Sequence, residues 1–323
     1  MPVAVAVLKR FICLVCFFVL CLNAIASSTN ATRPTVLVAI GAPGEEEFGK
    51  AFREWATAWK EACDKAEAKF VLIGDEAQSS GSDRERLQQG LETLPKEGNE
   101  ALWLVLIGHG TFDGKEAKFN LRGPDVSASD LANWLKPFQR PLAIINTTSA
   151  SAPFLHKLSA TNRVVITATR SGLENNFARF GGFLAKAIAD LSADVDKDGQ
   201  TSLLEAYLTA SRQVQEFYKT EGRLATEHAL LDDNGDGLGT PADWFRGIRA
   251  VKKPQEGASM DGFRAHQMHL VRSGAEQKLR AEARSKRDAL ELEIARLREK
   301  KSDMPEEEYY ARLEVLMLDL ARI

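Results

Sequence analysis

The chain has 323 residues, 44% of them hydrophobic, and a formal net charge of −3. That length holds one large domain, or one domain with an appendage, and the apolar share is enough for a full core. The charge balance, with no dense basic stripe in the first part of the chain, excludes nucleic acid as a partner.

The chain opens with "MPVAVAVLKRFICLVCFFVLCLNAIASS". A basic pair (Lys9, Arg10) precedes an apolar run from Phe11 to Leu22, and Ala24-Ile25-Ala26 follows as a small-x-small cleavage pattern. The run is short for a membrane span, so residues 1–26 read as a signal peptide. The expected product is secreted or periplasmic, with no membrane span after cleavage. Leu20 before Cys21 argues against a lipoprotein anchor. Three of the four cysteines lie in this segment. The mature chain keeps only Cys63, which excludes an intramolecular disulfide. Within "WATAWKEACDKA" it reads as a small core residue.

From Thr35 short apolar runs alternate with amphipathic stretches. "TVLVAI" predicts a strand, and the helix after it places Phe48, Phe52, Trp55 and Trp59 on one stripe. "KFVLIG" is a second strand, and "SDRERLQQGLETL" a helix with Leu87, Leu91 and Leu94 inward. "ALWLVLIG", "PLAIIN" and "NRVVITAT" supply three more strands. Helices "SASDLANWLKPF" and "FARFGGFLAKAIADL" stand among and after them. Strands separated by helices predict a three-layer α/β domain with a parallel sheet, over residues 33–247.

Beyond Gly247 the composition shifts. "VKKPQEGASMDG" reads as a linker, residues 248–265, rich in Pro, Gly and charge. Residues 266–323 are nearly all helix-forming. Leu290, Ile294 and Leu297 are spaced four and three, and Leu313, Leu316, Leu320 and Ile323 three, four and three. Between them Pro305 and three glutamates restart a helix. The pattern predicts a helical hairpin or short coiled coil, able to self-associate. The alternative is a terminal helix packed on the main domain.

Chemistry concentrates at two strand ends. "LVLIGHGTFDG" sets His109 between two glycines after the third strand, and "IINTTSASAPF" ends the fourth in a run of hydroxyls. Open α/β sheets place their sites at this carboxyl edge, so His109 and residues 147–151 are expected to face one crevice. A strand ending in His-Gly, then one ending in Cys-x-Ser-Gly, resembles the caspase-like cysteine peptidases, the legumain-like branch above all. The resemblance runs from Thr35 to about Gly247 through "VLVAIGAPGEEEFGKAFREW", "LVLIGHG", "FNLRGPDVSASDL", "IINTTSASAPFLHKL" and "RVVITATRSGLE". It implies a caspase-like fold, a polarising role for His109, and a nucleophile position at Ser149, with Ala152 in place of the glycine. A thiol, with a pKa of roughly 8.5, is appreciably ionised near neutrality, whereas a serine needs an aligned base. The replacement therefore points to a degenerate site and a non-proteolytic protein that binds a protein or peptide ligand, or acts as a scaffold. Two other readings compete. One is a serine-type hydrolase using a Ser149–His109 dyad, and the other is an assembly protein in which the tail does the work.

Nucleotide binding is excluded. "GAPGEEE" lacks the dinucleotide fingerprint and the phosphate-loop lysine, and its three carboxylates would repel phosphate. Calcium is the suspected cofactor. "DVDKDGQTSLLE" sets Asp194, Asp196 and Asp198 at positions one, three and five of an EF-hand-type loop. Gly199 stands at six, Gln200 at seven (through its carbonyl) and Glu205 at twelve. The alternative is that Ser202 and Glu205 merely form a capping box. A second loop, "DDNGDGLGTPAD", sets out Asp232, Asn234 and Asp236 before Gly237, with Asp243 where the closing Glu belongs. It reads equally as a weaker site or as a plain turn.

Overall fold

A computed structural model describes residues 33–74 and 81–323. The expected signal peptide, residues 1–26, lies outside the described residues. Five parallel strands build the centre: β1 (Thr35–Ile40), β2 (Lys69–Ile73), β3 (Leu102–Ile107), β7 (Leu142–Asn146) and β8 (Arg163–Thr167). Short antiparallel strands β9 (Leu230–Asp232) and β10 (Thr240–Pro241) extend one side, giving the order β10-β9-β8-β7-β3-β1-β2. A separate small sheet, β4 (Gly110–Phe112), β5 (Ala117–Phe119) and β6 (Val126–Ser127), follows β3 directly.

Alternation along the buried strands divides the core in two. Val36, Val38, Trp103, Val105 and Ile107 face one layer, while Leu37, Leu104 and Leu106 face the other. The first layer is α1 (Glu46–Lys65), α5 (Phe180–Ala187) and α6 (Leu203–Thr220). The second is α2 (Asp83–Thr93), α3 (Ala128–Leu135) and α4 (Ala152–Leu158). Phe52 and Trp59 are fully buried from α1, as are Leu87 and Leu91 from α2, in line with their spacing. Cys63 is fully buried too, and burial pushes its thiol up to about 12. It is a core residue that stays protonated at neutral pH. The architecture is three-layer α/β, as the pattern of strands and helices predicts.

The stretch expected to be a linker differs from the expectation. Asp261 is 2% exposed, and its Oδ1 accepts from the backbone N–H of Asp233 and Asn234, at 3.0 and 3.2 Å. Thr240 Oγ1 lies 2.6 Å from its Oδ2. Asp233 reciprocates by capping α7 (Phe263–Gln267), accepting from Gly262 and Ala265 N–H. Ala265 and Leu270 join the first core layer. On either side of α8 (Gly274–Lys278), Arg272 and Arg284 converge on the buried carboxylate of Glu100, at the amino edge of β3. Residues 251–257 are mostly exposed, as a linker's would be, whereas from Ala258 onward the stretch is anchored through Asp261 and Ala265. The helices α9 (Ala281–Glu299) and α10 (Glu306–Leu320) then form a hairpin. Among the described residues no helix is long and apolar enough to cross a membrane.

Candidate functional site

Register brings the two strand ends together. Leu106 of β3 lies opposite Asn146 of β7, and Asn146 opposite Thr167 of β8. His109, residues 147–151 and Thr169 therefore meet at one edge. His109 Nε2 lies 3.1 Å from Pro43 O. A carbonyl only accepts, so Nε2 carries the proton and, in the neutral ring, Nδ1 holds the lone pair. Phe48, Phe52 and Phe177 surround the imidazole, with ring centroids 5.0, 5.3 and 6.1 Å away. The β1–α1 turn and α1 thus hold His109 in a fixed orientation, walled by aromatic rings.

Every hydroxyl of the run is engaged elsewhere. Thr147 Oγ1 donates to Leu106 O at 2.8 Å, and Thr148 Oγ1 to Asn146 Oδ1 at 2.7 Å. Ser149 Oγ accepts from Gly110 N–H and donates to Gly110 O, both at 3.1 Å. Ser151 Oγ pairs with Thr169 Oγ1 at 3.1 Å, and Thr169 Oγ1 accepts from Ala152 N–H. These bonds stitch the ends of β3, β7 and β8 into one buried network. The structure brings Ser149 and His109 to the same edge, but the serine is bound to the glycine after the histidine, and the imidazole is bound to Pro43. Gly110 is needed for this approach: a Cβ there would sit 2.3 Å from Ser149 O and 2.8 Å from Thr148 Oγ1.

Ala150 follows with φ +52, in the left-handed region that costs a residue with a side chain about 1 kcal/mol or more. Its N–H donates to Glu174 O at 2.7 Å. The Glu174 carboxylate holds His228 Nδ1 at 2.5 Å. This second histidine escaped the sequence reading, because nothing near "TEHAL" signals a partner 54 residues away.

The acidic loop lies apart from this edge, between α5 and α6. Carboxylate oxygens of Asp194, Asp196 and Asp198 lie within 4.8 Å of one another. Burial, then the nearby charges of Glu205 and Asp198, hold the Asp196 carboxyl above its ordinary range. That clustering of like charge is what a divalent cation relieves. Glu205 is fully buried: Oε1 accepts from Val195 and Asp196 N–H, and Oε2 from Ser202 N–H and Oγ. The capping box and the carboxylate cluster are both present. The Gln200 side chain is engaged by protein, accepting from Ser273 N–H and donating to Asp198 Oδ2.

The second loop repeats the first, bond for bond. Asp194 accepts from Lys197 and Gly199 N–H, and Asp232 from Gly235 and Gly237 N–H. Asp196 accepts from Asp198 N–H, and Asn234 from Asp236 N–H. Asp198 accepts from Gln200 N–H, and Asp236 from Leu238 N–H. Positive φ recurs at the fourth and sixth places, Lys197 and Gly199 in one loop, Gly235 and Gly237 in the other. The loops do not pair with each other as two hands would. Instead, Ser202 bridges His269, and Leu203 N–H donates to Met268 O at 2.8 Å. His266 Nε2 reaches Asp196 Oδ2 at 3.4 Å, and burial pushes His269 down to about 4, leaving it neutral. The tail thus pairs with the end of the first loop, a contact that no motif in "FRAHQMHL" announces.

Comparison with known proteins gives likenesses of shape, among them two caspases. The chain is similar to the Drosophila initiator caspase Dronc, at 12% identity over 62% of this chain and 78% of that one, with a TM-score of 0.36. It is similar to caspase-1 from Spodoptera frugiperda at 8% identity, over 62% of this chain and 86% of that one, with a TM-score of 0.40. No family model and no curated protein matches the sequence.

Proposed function

We propose that this is a secreted or periplasmic, non-proteolytic relative of the legumain-like peptidases that binds a protein or peptide, or serves as a scaffold, and is stabilised by calcium. One observation supports the non-proteolytic reading. Ser149 is 2% exposed, and its hydroxyl is held at both its donor and its acceptor by Gly110. An attacking serine needs its proton directed at a base, and here that proton goes to a backbone carbonyl. The purified chain is expected to show no amidase activity above a His109→Ala control and no labelling by a fluorophosphonate probe. Labelling that disappears only in Ser149→Ala installs the serine hydrolase in its place.

The calcium reading rests on the carboxylate cluster of Asp194, Asp196 and Asp198, with Glu205 at the twelfth place of the loop. Oxygens at these positions suit a hard cation at about 2.3–2.6 Å. A loop without a partner hand is expected to bind at ~0.1–1 mM, as extracellular modules do. Calcium at about 1 mM then adds roughly 0.4–1.4 kcal/mol by mass action. The melting temperature is expected to rise with calcium and fall with chelator. Asp196→Asn with Asp198→Asn should remove the difference while leaving the exposed part of the loop folded. A wild-type melting curve indifferent to calcium leaves Ser202 and Glu205 as a helix cap and nothing more.

A further inference from the structure

Helix α10 carries apolar residues on more of its surface than α9 covers. Tyr309 is buried, and Leu313, Leu316 and Leu320 continue its stripe in steps of four, three and four. That stripe accounts for packing within the hairpin. Val315, Leu318 and Met317 lie off it and are 59%, 51% and 47% exposed. A groove of about 660 Å³ runs along the hairpin, floored by Leu297, Val315 and Leu316 and rimmed by Arg296, Glu308 and Arg312. An apolar floor with rims of both signs is the anatomy of an interface.

We propose that α10 is the seam of a homodimer, in which two α9–α10 hairpins close antiparallel about a twofold axis near Val315 into a four-helix bundle. The order of charge along α10 selects this occupant and this direction. Glu306, Glu307 and Glu308 fill the first turn, and Arg322 follows the last. In the antiparallel arrangement Glu308, seven residues before Val315, faces Arg322 of the second copy, seven residues after it. Symmetry repeats the pair at the other end. Each helix start then meets a helix end, which favours the dipoles as well. A parallel arrangement would bring both sets of three glutamates together. Glu308 and Arg322 now hold Arg312 and Asp319 of their own chain, at 2.6 and 2.8 Å. Those pairs are exposed and exchange for partners across the seam at little cost. A partner surface of a single sign gains nothing from rims that alternate.

Sedimentation of the full chain tests this. The interface is small, so a monomer–dimer equilibrium with Kd on the order of 10 µM is expected. Val315→Glu sets like charges against each other at the axis and should weaken the dimer roughly 100-fold. Its melting temperature should be unchanged under monomeric conditions, since Val315 is exposed. Arg322→Glu should weaken association, and adding Glu308→Arg should restore it. A chain that stays monomeric to about 200 µM, well above that Kd, overturns the proposal. So does a dimer that survives Val315→Glu, which includes association through residues 11–22. A charge swap that fails to restore the dimer overturns the antiparallel seam.

Discussion

Replacing Arg272 and Arg284 together by methionine is expected to cost about 3 kcal/mol of stability, near the low end of what breaking a buried ion pair costs. The two guanidiniums hold Glu100, whose side chain is 4% exposed, at 3.0, 2.5 and 2.9 Å. Methionine keeps most of the side-chain packing, so the loss reports the carboxylate left without its partners. Arg140, bound through Nε to the Glu100 carbonyl at 2.7 Å, supplies the remaining positive charge nearby and keeps the cost from rising further. Adding Glu100→Gln to the double variant should recover more than half of the loss, because the orphan is then neutral. Urea unfolding followed by tryptophan fluorescence measures both. A midpoint unchanged in the double variant would mean that the tail rests on the domain without holding it.

Asp261→Asn is expected to stabilise the protein at alkaline pH and to flatten its pH dependence. Burial, and then the charge of Asp233 beside it, raise the Asp261 carboxyl well above its ordinary range. Burial raises Asp233 as well. The folded pair keeps a proton that the unfolded chain gives up near pH 4. The folded state therefore binds more protons than the unfolded one over that interval. Stability contributed by this proton is complete below the ordinary Asp value and is lost as pH rises toward the folded value, at up to about 1.4 kcal/mol per pH unit. Asparagine copies the protonated form: its Oδ1 accepts from Asp233 and Asn234 N–H, and its Nδ2 donates to Thr240 Oγ1. Unfolding free energies at pH 6 and pH 9 compare the two proteins. A variant that loses stability with pH as steeply as the wild type places the proton elsewhere.

The central strands were legible because burial on both faces leaves unbroken apolar runs, as in "TVLVAI" and "LWLVLI", with amphipathic helices between them. Their carboxyl edge was legible too, since glycines around His109 and hydroxyls after Asn146 stand where apolar patterning stops. What those hydroxyls do was not. The partner of Ser149 is a backbone glycine 39 residues away, and nothing in a serine's neighbours reports such a bond. Strands β9 and β10 are three and two residues long, too short to show a period. The acidic loops were visible by spacing, whereas the tail that pairs with the first of them was not. Its contacts are made by His266, Met268 and His269 through backbone and imidazole, in a sequence as polar as any exposed segment.

The distance along the chain between Glu100 and its arginines has a consequence in time. The pairs join residues 172 and 184 positions apart. As the polypeptide emerges, β1, β2, β3, β7 and β8 are all available by residue 167, long before Arg272 and Arg284 exist. The sheet can therefore form with one of its edges still open and Glu100 still in water. Closing that edge requires loop closure across more than half of the chain, the slowest kind of contact to make. The nascent protein passes through a stage with its central layers assembled and its amino edge unsealed. Until the last sixth of the chain arrives, that edge is the part most exposed to misassociation.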